Sequence, residues 1–294
     1  MKKITNGAGN VIGKRRLILI LSLVAALIIS TVIWVIWGNT ALQVSTHYLT
    51  YGELPRAFDG FRIAQVSDLH DAEIGEDNER LIEALRSAEP NIIVMTGDMI
   101  DSRRLDIERT LSFVKRAMEI APCYYVTGNH ESRISEYPQL KKGLLELGVT
   151  VLENDRSELT VGDDTVVLLG INDPLFSGSS SGREAVTREY LEGIVSEDDG
   201  FTILLAHRPE VFKVYVEYGI DLALSGHVHG GQFRIPFVGG VYVPNQGLFP
   251  EYDAGLYTDG GTNMIISRGI GNSAFPFRLN NRPELVLIEL STGE

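Results

Sequence analysis

Five of the six histidines in this 294-residue chain fall in four short motifs, each following a hydrophobic run. His70 stands in SDLH, His130 in GNHE, His207 in LLAHRP, and His227 and His229 in SGHVHGG. A fifth motif, TGDMID, carries Asp98 and Asp101 between the first two. Imidazoles grouped with carboxylates, an amide and glycines form the donor set of a metal site, and its oxygen and nitrogen donors without thiolate favour Zn, Mn or Fe. Seven side chains are available as ligands: Asp68, His70, Asp98, Asn129, His207, His227 and His229. With Asp98 shared, that set serves two divalent ions with four ligands each. Two such ions, about 3.5–4 Å apart, would hold a hydroxide between them and clamp a phosphoryl group.

Any one of these motifs has a plainer explanation. A strand-end Asp is often a helix N-cap, and a core His is often only hydrogen-bonded. The specificity lies in all five occurring in one chain in this order. Residues i and i+2 of an extended segment point to one side, so Asp68-x-His70 and His227-x-His229 could each present a pair of donors. Gly226, Gly230 and Gly231 would allow a tight turn around the second pair.

These side chains need a frame. Short apolar runs at 61–66, 91–96, 123–127, 165–169, 202–206 and 221–224 predict buried strands. Helical spacing recurs at 78–88, 105–120, 139–147, 185–195 and 211–218. The tail is strand-rich, at 232–235, 240–243, 263–267 and 284–290. Alternating strands and helices indicate an α/β core, which two sheets flanked by helices would satisfy. Most motifs follow a strand, where α/β folds gather their ligands. Residues 172–182 include SGSSSG and suggest a mobile surface loop or a lid. Tyr252, Phe275, Phe277 and Arg278 are candidates for a substrate groove. The lone Cys123 reads as a buried strand residue, and His47 attracts no functional role.

Residues 17–37 form an uncharged run of 21. As a helix this would span about 31 Å, close to the thickness of a bilayer core. Lys2, Lys3, Lys14, Arg15 and Arg16 precede it, and no acid does. The expected organisation is a cytoplasmic basic segment (1–16), a membrane anchor (17–37), a linker and lead-in strand (38–59) and an extracytoplasmic domain (60–294). A cleaved signal peptide or a twin-arginine export signal are the alternatives, but GNTALQV offers no A-x-A-like site. The net charge of −13, five units more negative without the basic segment, gives no nucleic-acid footprint. An acidic domain handling an anion needs a local positive charge, which bound ions would supply.

The ordered set D-x-H, G-D-x-x-D, G-N-H-E, H and G-H-x-H over residues 61–231 resembles the calcineurin-like metallophosphoesterase superfamily. The apolar helix, GHVHGGQ and the tail resemble its membrane-associated bacterial phosphohydrolases. The resemblance implies a four-layer αββα sandwich and a hydrolase acting on phosphoesters. It assigns Asp68, His70, Asp98 and His229 to one ion, and Asp98, Asn129, His207 and His227 to the other. A metal-bridging hydroxide would be the nucleophile. His130 would protonate or stabilise the leaving oxygen, and Asp101 would orient it. Where the protein-phosphatase branch has Arg directly after the second Asp of GDxxD, this chain has Ser102, leaving Arg103 as a candidate phosphate contact. Membrane lipids or cell-wall polymers are plausible substrates. Cleavage of a UDP-linked lipid sugar, a metal-dependent amidohydrolase and a non-catalytic metal-bound adaptor are the competing readings. The first-position Asp68 and the ligand Asn129 oppose the amidohydrolase, and the presence of His130 with Asp101 opposes the adaptor.

Overall fold

The computed structural model of the protein describes residues 7–243, 246–272 and 275–293. Helix α1 (Gly7–Thr40) leads into strand β1 (Gln43–Tyr51). There follow β2 (Arg62–Val66), α2 (Glu79–Ala88), β3 (Ile92–Thr96), α3 (Ile107–Met118), β4 (Cys123–Val126), α4 (Tyr137–Glu146) and β5 (Thr150–Val151). A second series holds β6 (Asp155–Val161), β7 (Asp164–Gly170), α5 (Arg183–Glu192), β8 (Thr202–Leu205), α6 (Phe212–Glu217) and β9 (Leu222–Ser225). Two small hairpins come next, β10 (Arg234–Ile235) with β11 (Gly239–Gly240), and β12 (Tyr242–Val243) with β13 (Gly247–Leu248). Strands β14 (Gly255–Asp259), β15 (Thr262–Ile266) and β16 (Glu284–Thr292) close the chain.

Two six-stranded sheets result, ordered β1-β16-β2-β3-β4-β5 and β14-β15-β9-β8-β7-β6. Each has a parallel centre: β2, β3, β4 and β5 in the first, β7, β8, β9 and β15 in the second. Parallel strands are covered on both faces, which explains their unbroken apolar runs. One face of each sheet meets the other through residues such as Ile63, Val94, Leu205 and Leu224. The outer face of the first sheet packs Met95 and Tyr125 against Leu81, Phe113 and Leu140 of its helices. The outer face of the second packs Leu204 and Ala223 against Leu191 and Phe212. This is the expected four-layer αββα sandwich.

The helices obey their local sequence. Helix α3 starts where the Asp106 carboxylate accepts the Arg109 N–H at 3.0 Å, and it buries Phe113, Val114 and Ala117. Each fully buried Leu or Phe of this kind contributes about 1.5–3 kcal/mol. Cys123 is buried in β4, as expected. Helix α1 is long and apolar enough over Lys14–Thr40 to cross a membrane, and none of that stretch is buried. The lead-in is part of the first sheet, since β1 pairs in parallel with β16 along its whole length.

Candidate metal centre

All five motifs emerge from one end of the two sheets. Asp68 and His70 follow β2, Asp98 follows β3, Asn129 and His130 follow β4, His207 follows β8, and His227 and His229 follow β9. Asp68, His70 and His229 bring one donor atom each to within 4.8 Å of one another, and so do Asp98, His207 and His227. Asp98 Oδ2 stands between the groups, 3.3 Å from His207 Nε2 and 3.8 Å from His70 Nε2. A third trio, His70, Asp101 and His130, meets the same spacing and shares His70 with the first.

The backbone differs from the extended geometry expected of D-x-H and H-x-H. Asp68, His70, Asp98, His227 and His229 all have positive φ, between 48° and 71°. The donors converge because the chain turns sharply through left-handed conformations, which cost of order 1–3 kcal/mol each and gather at functional sites. Two glycines are forced by close approach. A Cβ on Gly97 (φ +87°) would lie 2.6 Å from the Gly128 nitrogen and 2.8 Å from His207 Nδ1. One on Gly226 would lie 1.9 Å from Ser67 Oγ.

The donor atoms fit a cation. His207 Nδ1 donates to the Thr96 carbonyl at 2.8 Å, which turns Nε2 toward Asp98, where it has no hydrogen-bond partner among the described residues. The Nε2 atoms of His70 and His229 face each other at 3.0 Å. Burial would raise the Asp68 carboxyl, but the neighbouring imidazoles, His229 first and then His70, outweigh it and hold it down at about 2. Asp98 is likewise held well below the usual range, with His207 overcoming burial. His207 is pushed up to about 10, because Asp98 overcomes the burial that would lower it. Burial lowers His229 to about 3 against the pull of Asp68, and burial with the Arg208 charge lowers His227. Two carboxylates therefore stay ionised and two imidazoles stay neutral at pH 7, the states that metal ligation would require, whereas His207 would first have to lose a proton.

Residues 61–231 match the calcineurin-like phosphoesterase family. The chain belongs to that family. It is a metal-dependent phosphoesterase, a hydrolase of phosphoester bonds. It is 30% identical to the uncharacterized metallophosphoesterase YkuE of Bacillus subtilis over 85% of this chain and 86% of that one. It is also 30% identical to the phosphodiesterase YaeI of Escherichia coli, over 68% of this chain and 70% of that one. A bovine transmembrane protein with a metallophosphoesterase domain is 28% identical over 91% of this chain and 62% of its own length.

The phosphoesterase carries groups beside the ligand set that its sequence did not single out. Arg208, directly after His207, is buried. Its Nη1 donates to His227 Nε2 at 2.8 Å and its Nη2 to Asn129 Oδ1 at 3.3 Å. Guanidinium has no acceptor, so His227 Nε2 holds an electron pair and its proton is on Nδ1. Asp173 anchors Arg208 through Nε at 2.6 Å. Glu131, the last residue of GNHE, accepts the N–H groups of Asp98, Met99 and Gly128 at 3.0, 2.8 and 2.8 Å. It ties the β3 and β4 loops together. The chemical signal for Arg208 was its place beside a ligand His; that for Glu131 was a carboxylate inside a tight turn.

The ligand atoms open into a pocket of about 700 Å³. Arg103, Arg133, Arg183 and Arg208 line it, so an acidic domain surrounds its site with cations of its own. His130 also lines it, and burial lowers this ring to about 4 despite the nearby Asp98 charge. Its Nδ1 accepts the Ser102 N–H at 3.0 Å, which directs the neutral ring's proton to Nε2. The Asp101 carboxylate lies 3.5 Å from Nδ1 and instead accepts from Arg103 N and Nε at 3.0 and 3.3 Å. The Ser102 N–H and the Asp101 carboxylate thus both border Nδ1, the Ser102 N–H at the shorter distance.

Other expectations need correction. Arg278 does not line the catalytic pocket; it is fully buried, with Nη2 3.3 Å from His229 Nδ1. Tyr252 packs against Phe212 and Tyr257 in the second sheet's outer layer. Phe277 packs against Phe233 with its ring tilted, while Phe275 does reach the pocket. The 172–182 segment is not loose at its start. Asn172 and Asp173 bond the Thr127 hydroxyl, and Asp173 is buried under Arg208; Leu175 and the Ser/Gly part are exposed.

Proposed function

We propose that this phosphoesterase works with a binuclear centre on the outer face of the membrane, anchored by residues 17–37. Asp68, His70, Asp98 and His229 would hold one ion, and Asp98, Asn129, His207 and His227 the other. When bound, two divalent ions supply Lewis-acid charge for the phosphoryl oxygens and lower the pKa of a coordinated water. The single observation that carries this reading is the carboxylate of Asp98, which stands within 4 Å of imidazole nitrogens from both groups. Mn, Zn and Fe all suit the oxygen and nitrogen donors.

The chain's own residues do the rest. The arginines of the pocket bind and orient the anionic ester, and Arg208 is pre-positioned for it by Asp173. His130 presents Nε2–H to the leaving oxygen, a hydrogen-bond donor whose direction the Ser102 N–H fixes. Basic residues before the apolar helix support a cytoplasmic N-terminus and an external domain. Phosphoesters of lipids or wall polymers are then the accessible substrates.

The test is a panel of aryl phosphomonoesters, aryl phosphodiesters and sugar diphosphates given to the full chain with Mn, Zn or a chelator. Turnover of one ester class that depends on metal is the expected result. No turnover of any phosphoester after metal loading would refute the reading.

A further inference from the structure

The strand register fixes where the apolar helix meets the domain. Helix α1 ends at Thr40, and β1 begins at Gln43, paired with Glu284. Strand β16 runs antiparallel to β2, with Val286 opposite Gln65. Glu284 and Gln43 therefore lie beyond the carboxyl end of β2, where Asp68 and His70 follow. The helix enters at the end of the sandwich that bears the metal loops.

The junction is built rather than loose. Asn39 Nδ2 donates to the Arg278 carbonyl at 3.0 Å, and the Arg278 N–H donates to Asn39 Oδ1 at 2.7 Å. The Arg282 guanidinium lies 4.7 Å over the Trp37 ring and bonds the carbonyls of Ala41 and Leu42 at 2.8 and 2.6 Å. A cavity of about 180 Å³ between helix and domain is lined by Trp34, Trp37 and the arginines 268, 278 and 282. Tryptophan and arginine together are the side chains of the headgroup layer.

At the same end, the two hairpins expose large apolar side chains. Phe237, Val238, Leu248 and Phe249 are 108%, 61%, 69% and 58% exposed. Phe237 and Phe249 also have positive φ, at 67° and 53°, which is strained for aromatic residues. These loops are tied to the junction. The Arg234 N–H bonds the Leu279 carbonyl at 3.0 Å, and Phe233 packs against Phe275 and Phe277. Tyr242 and Phe275 belong both to this rim and to the catalytic pocket. An apolar rim of this kind on an acidic domain calls for a partner.

We infer that the partner is the lipid bilayer: the exposed side chains of Phe237, Val238, Leu248 and Phe249 dip into its surface and seat the mouth of the catalytic pocket on the membrane. The bilayer is favoured over a protein because the rim is continuous with the end of a helix that is long and apolar enough to cross a membrane. The inference rests on the membrane-anchored phosphoesterase reading and deepens it. The substrate is then a phosphoester carried by an amphiphile, which reaches the pocket while its apolar tail remains in the leaflet.

The experiment uses the full chain in lipid nanodiscs. Cys123 is buried, so a thiol-reactive fluorophore attaches to an introduced Val238→Cys or, as a control on α4, Glu146→Cys. The Val238 label should be quenched by nitroxide lipids and shielded from an aqueous quencher, and the Glu146 label should behave in the opposite way. Equal aqueous access at both sites would overturn the inference. A second arm compares hexadecyl nitrophenyl phosphate in the disc with a water-soluble aryl phosphodiester. Phe237→Asp with Val238→Asp should lower lipid-ester turnover by roughly tenfold, equivalent to losing a buried apolar side chain, and leave the soluble ester unchanged. An equal effect on both esters, or on neither, counts against it. If the parent protein turned over neither ester while the Val238 label stayed in lipid, the phosphoesterase reading would fail and the membrane contact would stand.

Discussion

Arg208 Nη1 lies 2.8 Å from His227 Nε2, with its guanidinium directed at the electron pair through which that imidazole would bind an ion. Asp173 grips the other side of the same guanidinium. An ion held by His227 would take the electron pair that Arg208 Nη1 now faces, which would free that N–H for an anionic ester in the pocket. Arg208→Lys keeps the charge opposite the buried Asp173 but loses the two-pronged donor. The expected outcome is an intact fold, unchanged metal content and a KM raised roughly 10- to 100-fold, the worth of a charge-assisted hydrogen bond. Steady-state kinetics with metal analysis checks it, and an unchanged KM would remove Arg208 from substrate binding.

His130 is next to a ligand without being one in this account. His130→Ala should lower kcat by about 10²–10³, the range for losing one hydrogen-bond donor to a developing oxyanion, with the metal content of the parent. Loss of metal along with activity would instead make His130 part of the ligand set.

The Asp98 carboxylate pushes His207 up to about 10, so the metal-free imidazole carries a proton at neutral pH. Ligation through Nε2 needs that proton to leave. Metal uptake should therefore release protons, and affinity should rise with pH. Calorimetric titration of the chelated protein with Zn in buffers of different ionisation heat measures this. A binding heat that is the same in every buffer would contradict it.

Glu131 is a structural device with a stability consequence. Glu131→Ala leaves the N–H groups of Asp98, Met99 and Gly128 without their buried acceptor. At about 1–3 kcal/mol per orphaned donor, the loss should be about 3 kcal/mol or more. For a domain of this size that corresponds to a fall in Tm of roughly 6–12 °C. Glu131→Gln, which retains one acceptor oxygen, should fall in between. A Tm unchanged in Glu131→Ala would show that the loops hold without it.

The sequence made the parallel core of both sheets legible, because β2, β3, β7, β8 and β9 are buried on both faces and read as unbroken apolar runs. The edge strands were harder. In β6 only Leu159 is buried, and β14 has no buried residue, so neither shows a clear alternation. Strand β1 was read only as a lead-in, since what holds it is β16, more than 230 residues away. The candidate ligands were visible as motifs at strand ends. Their left-handed backbone was not, because DLHD has no glycine and only the neighbouring loops impose positive φ. Arg208 was hidden for a similar reason: a lone Arg reads as solvated, and its burial depends on Asp173 in a loop after a different strand.

On the proposed reading, phosphoester hydrolysis requires two ions gathered around Asp98. The most direct test titrates chelated full-length protein, and its Asp98→Asn variant, with Mn or Zn while turnover of an aryl phosphodiester and bound metal are measured together. The account expects no turnover without metal, and full turnover of the parent only as binding approaches two ions per chain. The variant should show a loss of about 10³-fold or more, as expected when the charge shared by both ions is removed. Turnover that persists in the chelated protein, or reaches its maximum at one ion, would contradict the account.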